Sequence, residues 1–451
     1  MERLLIANRG EIAVRIIRAA RELGMETVLV ASEPDAGSYA ASLADEVRVV
    51  GPAPAAKSYL DGAAVLAAAD ASGCDALHPG YGFLSENARF ARSVVDAGIT
   101  WVGPSPDAIE LMGNKSRARQ AAQDAGVPTL PGSDGALDPE ADALPLARAI
   151  GYPLVVKASA GGGGRGIRLV TDESDLLQTI DVARAEAQAA FGDPAVYLEQ
   201  FVHRARHVEV QILGDGERVI HLGDRDCSLQ RRQQKIIEEA PAPQLPDAVR
   251  QTIWASSMEL GRQCSYSGLG TIEFLYDPER EQAAFIEMNT RLQVEHPVTE
   301  MVTGLDLVRE QLLVAATGKL RLQQEDIGFR GHAFEFRINA EDPSQGFMPS
   351  PGTLARLDWP GGPGIRVDSG VVAGSAVAPF YDSLLAKLVV WDQSRPEAIE
   401  RSARALDEVR IEGVKTTLAL LSTVLRRPEV RDVTHHSKFI ESTPDLLGAD
   451  A

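Results

Sequence analysis

Residues 270–297, GTIEFLYDPEREQAAFIEMNTRLQVEHP, bring acidic, basic and amide side chains together at regular spacing. Two apolar runs, 270–276 and 283–289, flank a polar turn and read as an antiparallel hairpin. Side chains alternate faces along a strand, so Glu287 and Asn289 share one side, with Arg291 following if the strand continues. Ile286 and Met288 then point into the core, and Glu273, between Ile272 and Phe274, can join the polar face. Carboxylates facing each other across a hairpin repel unless a cation sits between them. Oxygen ligands with no His or Cys cluster nearby favour Mg²⁺ or Mn²⁺ carrying substrate phosphate; the alternative is a solvated outer face. Just beyond, Arg291, Gln293, Val294, Glu295 and His296 crowd into a turn before Pro297. A cation, an amide and a carboxylate so placed could bind a small anion and take a proton from it. His296 reads as structural.

A second candidate is the loop AGGGGRG, residues 160–166. Gly161, Gly163 and Gly166 formally satisfy GxGxxG, and Gly161 with Gly166 match the first half of a P-loop. Both of those motifs must open a helix, whereas residues 167–170 are strand-like and no Lys-Ser/Thr follows Gly166. A glycine loop on a hairpin can still fold its N–H groups over polyphosphate. Lys157 ends the strand entering the loop and Lys115 lies just after Gly113, so two compact cations could grip phosphate from two sides. Without them the loop would read as a flexible surface hairpin. Lys235 falls in RDCSLQRRQQKIIEEAP, either a functional basic cluster or a surface charge run. His207 begins a strand and is either functional or a satisfied buried histidine. Arg337, in AFEFRINAED, alternates with Phe334 and Phe336 and faces away from them. Cys227 has no His/Asn partner set and reads as inert.

The elements that must position these residues follow from periodicity. Short strands at 4–7, 27–31, 47–50, 75–78 and 100–102 alternate with helical spacing at 11–23, 61–71 and 85–97, which implies crossover units and a parallel sheet. After a Pro/Gly/Asp-rich stretch at 127–139 come strands 153–158, 167–170 and 195–200 and a helix at 175–190. Strands at 207–213, 218–222, 270–276 and 283–289 precede a helix at 305–316; the last part has short strands, Pro/Gly turns, and helices at 395–409 and 416–425. The expected divisions are 1–112, 113–330 (with a lid at about 131–203) and 331–447. A length of 451 residues fits about three domains. The 44% apolar and 24% charged composition is that of a globular protein. Forty-five Lys and Arg against 64 Asp and Glu give a net charge of −19, which disfavours nucleic acid or an anionic membrane as partner. No apolar run approaches the ~18 residues of a membrane span. Three scattered cysteines exclude a disulfide framework and favour a reducing, cytoplasmic setting.

The ordered fragments IANRGEIAVRIIRAA, HPGYGFLSEN, LMGNKS, YPLVVKASAGGGGRGIR, RHVEVQ, RDCSLQRR, EEAPAP, FIEMNTRLQVEHPVTE, RINAEDP and YDSLLAKL span essentially the whole chain. Together they resemble the biotin carboxylase component of biotin-dependent carboxylases, an ATP-grasp ligase. The resemblance implies an α/β and α+β architecture: a Rossmann-like N-terminal parallel-sheet domain, an ATP-grasp region with a glycine-flap lid, and a C-terminal α+β domain. It also implies roles residue by residue. Lys115, Lys157, Gly161, Gly162, Gly163, Gly164, Gly166, His207 and Gln233 would serve ATP, and Glu199 and Leu275 its adenine and ribose. Glu273, Glu287 and Asn289 would hold the metal. Lys235, Arg291, Gln293 and Val294 would bind bicarbonate, Glu295 would deprotonate it, and Arg337 would stabilise the biotin enolate. The implied reaction uses ATP, Mg²⁺ or Mn²⁺ and bicarbonate to carboxylate biotin through carboxyphosphate, as the first half-reaction of an acetyl-CoA or related carboxylase.

Three places depart from the family pattern. Gln233 stands where a histidine is usual, Ala160 replaces a flap glycine, and the tail at 435–437 differs. No Met-Lys-Met segment occurs, so a separate biotin carboxyl carrier protein and a separate carboxyltransferase are the expected partners. Arg15, Arg18 and Glu22 match a homodimer face. Two other classes stay open on sequence alone: another ATP-grasp carboxylate–amine ligase, and a non-catalytic carrier-binding homologue.

Overall fold

A computed structural model of the chain describes residues 1–133, 135–138, 142–159 and 166–446. The first hundred residues form a parallel sheet in the order Glu46–Gly51, Glu26–Ser32, Arg3–Ile6, Ala76–His78, Thr100–Trp101. The helix Gly10–Glu22 buries Ile12, Ile16, Ala19 and Ala20, the stripe that its 3.6-residue spacing requires. Helices Gly62–Ala71 and Ala88–Asp96 start where Asp61 and Asn87 accept hydrogen bonds from Ala64 and Phe90 N–H groups. Strand order reverses beside Arg3–Ile6, opening a crevice at the carboxyl ends. There the Asn8 amide donates to the carbonyls of Pro79 and Tyr81, both at 2.7 Å, and holds down the loop that leads on to Glu86. Gly80 has φ +63°, and a Cβ on it would lie 2.7 Å from Asn8 Nδ2, so a side chain there would break that anchor.

A smaller antiparallel sheet follows, in the order Ile167–Val170, Leu154–Ala158, Val196–Gln200. One face packs Leu154, Val156, Val170, Val196 and Leu198 with apolar residues of helices Ala143–Ile150 and Leu176–Phe191. Register places Lys157, Tyr197 and Glu199 on the other face beside Ile167 and Leu169, which are exposed. Gly161, Gly162, Gly163 and Gly164 of the expected flap lie outside the described residues, as does Ala160; Gly166 is described and has φ +78°.

The largest sheet has eight antiparallel strands, in the order Gln282–Asn289, Ser267–Asp277, Arg206–Asp215, Val219–Arg231, Gln234–Ala240, His332–Asn339, Leu384–Asp392, Ile365–Ser369. One face supplies Val208, Val210, Ile272 and Phe274 to one core and Ile237, Phe334, Phe336 and Leu388 to another. The other face carries a continuous run of polar side chains. Register shifts re-aim residues along this sheet. Register shifts opposite Leu229 let Ile236 and Ile237 both enter the apolar core, so Lys235 and Glu238 come to share the polar face. A second shift sits between the pairs Glu273/Glu287 and Phe274/Phe285 and leaves Ile286 unpaired and 41% exposed. The expectation that Ile286 points into the core is therefore incorrect, whereas Met288 is buried.

Several elements were not anticipated, the helices Pro106–Gly113, Lys115–Asp124 and Ala143–Ile150 among them. The 218–222 strand runs on to Arg231 and pairs with Gln234–Ala240, so RDCSLQRRQQKIIEEA is a hairpin with buried arms whose tip alone, residues 232–234, is exposed. Asp247–Gln263 is a helix whose buried positions include Ser256, Ser257 and Gly261, which dilute its apolar stripe. The turn before Pro297 continues directly into the helix His296–Thr303.

Candidate active site

The polar face of the large sheet is built by register. Glu273 pairs with Glu209, Leu275 with His207, Thr271 with Gln211, and Arg225 with Glu209, so all of these project to one side. At the centre, Lys235 Nζ donates to Glu209 Oε2 at 2.6 Å, Glu273 Oε1 at 2.9 Å and Glu295 Oε1 at 2.5 Å. Burial opposes the charge on Lys235, but the three carboxylates outweigh it and raise its pKa well above the ordinary lysine value. Below it, Arg225 is fully buried and spends every N–H it has: Nε on Glu209, Nη1 on Gln211 and Thr299, Nη2 on Thr271 and Gln293. This locks the side chains beneath the site in one arrangement.

Glu295 is held from both sides, by Lys235 and by Arg337 Nη2 at 2.9 Å. Burial raises its pKa, but Lys235, with help from Arg337 and Arg225, overrides burial and brings it down to about 2. Arg337 is in turn anchored by Nε to Glu238 Oε1 at 2.5 Å, and it lies on the face opposite Phe334 and Phe336, as its alternation requires. Arg291 donates to Glu86 at 2.8 Å and to Asn289 Oδ1 at 2.9 Å, which ties the loop of the first domain to the turn. Gln293 Nε2 donates to Glu273 at 2.9 Å while its oxygen serves Arg225. His296 is wholly buried and its Nδ1 meets the Gln293 carbonyl at 2.8 Å, a turn-closing role.

The expected metal face is assembled as a cross-strand pair. Glu287 lies directly opposite Glu273, and Asn289 Nδ2 donates to Glu273 Oε1 at 2.9 Å. Among the described residues Glu287 makes no hydrogen bond or ion pair; burial first, then Glu273, raises its pKa, against a lowering by Lys115. An all-oxygen donor set in which one carboxylate lacks a cation fits a hard divalent ion. His207 Nε2 approaches Glu273 at 3.1 Å; burial disfavours its protonation, but Glu273 pushes its pKa up to about 9.

Other expected residues stand further out. On the outer face of the smaller sheet Lys157 pairs with Glu199, which also meets Arg119 at 3.3 Å. Lys115 is exposed at the start of the helix Lys115–Asp124. Leu275 is half-buried beside His207. Gln233 occupies the exposed tip of the Arg231–Gln234 turn at φ +65°. Cys227 is fully buried, and burial raises its pKa well above the ordinary thiol value, in accord with an inert thiol. Arg15 is a correction to the expected dimer face: it is buried and bonded within the chain to Glu300 at 2.9 Å and Asp306 at 2.5 Å. Arg18 and Glu22 remain exposed.

Sequence reasoning did not single out Glu209, Arg225, Glu238 or Glu86. The first could have been found, since Glu209 is two residues from His207 in a strand and must share its face.

Three family models match successive parts of the chain. Residues 1–109 match "Biotin carboxylase, N-terminal domain", 114–323 match "Carbamoyl-phosphate synthase L chain, ATP binding domain", and 335–442 match "Biotin carboxylase C-terminal domain". The biotin carboxylase of Pseudomonas aeruginosa is 54% identical over 94% of this chain and 95% of its own length. Biotin carboxylase 1 of Bacillus subtilis is 48% identical over 100% of both chains. Among solved structures, the biotin carboxylase domain dimer of 2-oxoglutarate carboxylase from Hydrogenobacter thermophilus, in complex with MgADP, ADP and bicarbonate, superposes with a TM-score of 0.91. It has 45% identity and covers 100% of this chain and 99% of its own.

Proposed function

The chain belongs to the biotin carboxylase family and is an ATP-dependent ligase with biotin carboxylase activity, and we propose that its substrate is biotin on a separate carrier protein, carboxylated through carboxyphosphate. The observation that carries this reading is the clamp on Glu295, whose two oxygens are held by Lys235 and Arg337 beside the Glu273/Glu287 pair.

In this reading Lys115, Lys157, His207, Gln233 and the flap glycines receive the ATP phosphates, and Glu199 and Leu275 border the base and ribose. Lys157 must leave Glu199 to do so. The exposed Ile167 and Leu169 on the same lid face support closure of the lid over the nucleotide, which would exclude water from a labile mixed anhydride. Glu273, Glu287 and Asn289 would hold Mg²⁺ or Mn²⁺, which supplies positive charge to the triphosphate when bound. Bicarbonate enters between Lys235, Arg291, Gln293 and Val294. As Lys235 turns one N–H to the incoming anion, Glu295 loses the contact that most depresses its pKa and becomes a competent base. The deprotonated bicarbonate oxygen attacks the γ-phosphorus, ADP leaves, and carboxyphosphate breaks down to CO₂ and phosphate. Phosphate takes the biotin N1′ proton while Arg337, preset by Glu238, stabilises the ureido oxyanion; N1′ then attacks CO₂.

The proposed units are residues 1–112, 113–330 with a lid at about 131–203, and 331–447. A homodimer is supported by the dimeric biotin carboxylase domain of the Hydrogenobacter relative. The final carboxyl acceptor is set by a carboxyltransferase partner, and acetyl-CoA is the proposed one. No helix among the described residues is long and apolar enough to cross a membrane. The three free cysteines support a reducing, cytoplasmic setting. The test is phosphate release from ATP with Mg²⁺ and bicarbonate, with and without free biotin. Stimulation by biotin is expected; stimulation by an amine and not by biotin would contradict the reading.

A further inference from the structure

Lys387 is fully buried at the centre of the strand Leu384–Asp392, directly between Arg337 and Asp368 on the neighbouring strands. Nothing in the mechanism above uses it. A lysine without water must spend its N–H groups on protein acceptors, and the two acceptors recorded for it come from two other parts of the molecule. One is the main-chain carbonyl of Val294, at 2.8 Å, in the turn that carries Glu295. The other is Glu11 Oε1, at 3.1 Å, in the first turn of the helix Gly10–Glu22. Glu11 is itself buried and accepts a hydrogen bond from Tyr81, on the loop anchored by Asn8. Packing is close here: a Cβ on Gly370 would lie 2.5 Å from the Glu11 nitrogen.

We propose that Lys387 is a positioning residue for the bicarbonate turn: held by Glu11, it fixes the Val294 carbonyl and so sets where the Val294 and Glu295 main chain faces the incoming anion. The inference rests on the bicarbonate site proposed above and adds to it a member that contacts no substrate. The turn is gripped from the sheet side at Gln293, by Arg225, and at Glu295, by Lys235 and Arg337. Val294 between them has Lys387 as the side-chain donor to its carbonyl. Loss of that bond frees the peptide to rotate, and its N–H rotates with it. Lid and nucleotide residues lie on other elements and are untouched.

The test uses the full chain and separates KM values. Lys387→Met keeps the length of the side chain and removes the donor, but it strands the buried Glu11 carboxylate. The double variant Lys387→Met, Glu11→Gln removes both charges and guards against misfolding. In biotin-stimulated phosphate release, both variants are expected to raise the bicarbonate KM at least tenfold, with the ATP KM within twofold of wild type. Glu11→Gln alone, which leaves the Val294 bond in place, should raise the bicarbonate KM less than either. Bicarbonate KM values within twofold of wild type would overturn the proposal. So would equal rises in both KM values, which is what general loosening of the fold produces. Wild type that released phosphate without bicarbonate would instead overturn the functional reading on which the proposal stands.

Discussion

Replacing Glu295 with glutamine separates catalysis from folding. In the structure neither of its cationic partners depends on it alone. Lys235 keeps Glu209 at 2.6 Å and Glu273 at 2.9 Å, and Arg337 keeps Glu238 at 2.5 Å. Glutamine fills the same volume, but its oxygen accepts from only one of the two cations and its NH2 faces the other, so the stability cost is that of losing one charged contact, about 2–3 kcal/mol. The catalytic cost is larger, because an amide cannot take the bicarbonate proton. A positioned general base contributes about 10²–10⁴ in rate, so kcat should fall by about 10³, or ~4 kcal/mol in activation free energy. Phosphate release measures kcat, calorimetric titration with ADP and Mg²⁺ measures nucleotide affinity, and a thermal melt measures folding. The expected pattern is a thousandfold loss of kcat, nucleotide affinity within threefold, and a melting point lowered by a few degrees at most. A kcat within tenfold of wild type would refute the base assignment. A parallel collapse of nucleotide affinity would show that Glu295 supports the fold of the site and does not act in chemistry alone.

Glu287→Gln should raise the Mg²⁺ concentration for half-maximal activity at least tenfold without lowering the melting point, since among the described residues the carboxylate makes no hydrogen bond or ion pair to lose, and burial and Glu273 disfavour its charge; titration of activity with Mg²⁺ checks this. Lys157→Met should raise the ATP KM by about tenfold or more, the loss of one charge-assisted phosphate contact, and leave the bicarbonate KM unchanged in the same assay. Glu335 is fully buried opposite Glu238, neither of its oxygens finds a hydrogen bond among the described residues, and burial raises its pKa well above the ordinary carboxyl value. The folded state therefore keeps a proton that the unfolded chain releases above about pH 4.3. Stability from this group is fully present below that pH, and about 1.4 kcal/mol is lost for each pH unit above it until the folded carboxyl titrates. Glu335→Gln should accordingly melt higher than wild type at pH 8 and equal to it near pH 4.5. A difference that did not change with pH would contradict the assignment.

Much of this molecule was legible before folding because its chemistry lies on strands. Alternation alone put Glu287 and Asn289 on one side of a hairpin, brought Glu273 opposite, and turned Arg337 away from its phenylalanine neighbours. The parallel sheet and its helices followed from apolar spacing that tertiary packing merely completes. The buried arms of the hairpin 219–240 were not legible for the opposite reason. Arg225, Asp226, Glu238 and Glu239 are charged yet buried, and only their partners on other strands and on the helix Arg395–Glu408 reveal why they can be. The exposed Ile286 was misread because a bulge changes the period of a strand by one residue and leaves no mark in composition. Lys387 and Glu11 sit 376 positions apart, and nothing in either local segment announces that they meet.

The central claim is that bicarbonate, and not water, attacks the γ-phosphate of ATP. Turnover with bicarbonate labelled with ¹⁸O in ordinary water tests it directly, with the released phosphate read by mass spectrometry before the label exchanges. The account predicts one labelled oxygen passing from bicarbonate into each phosphate formed. Phosphate that carries only solvent oxygen would contradict it.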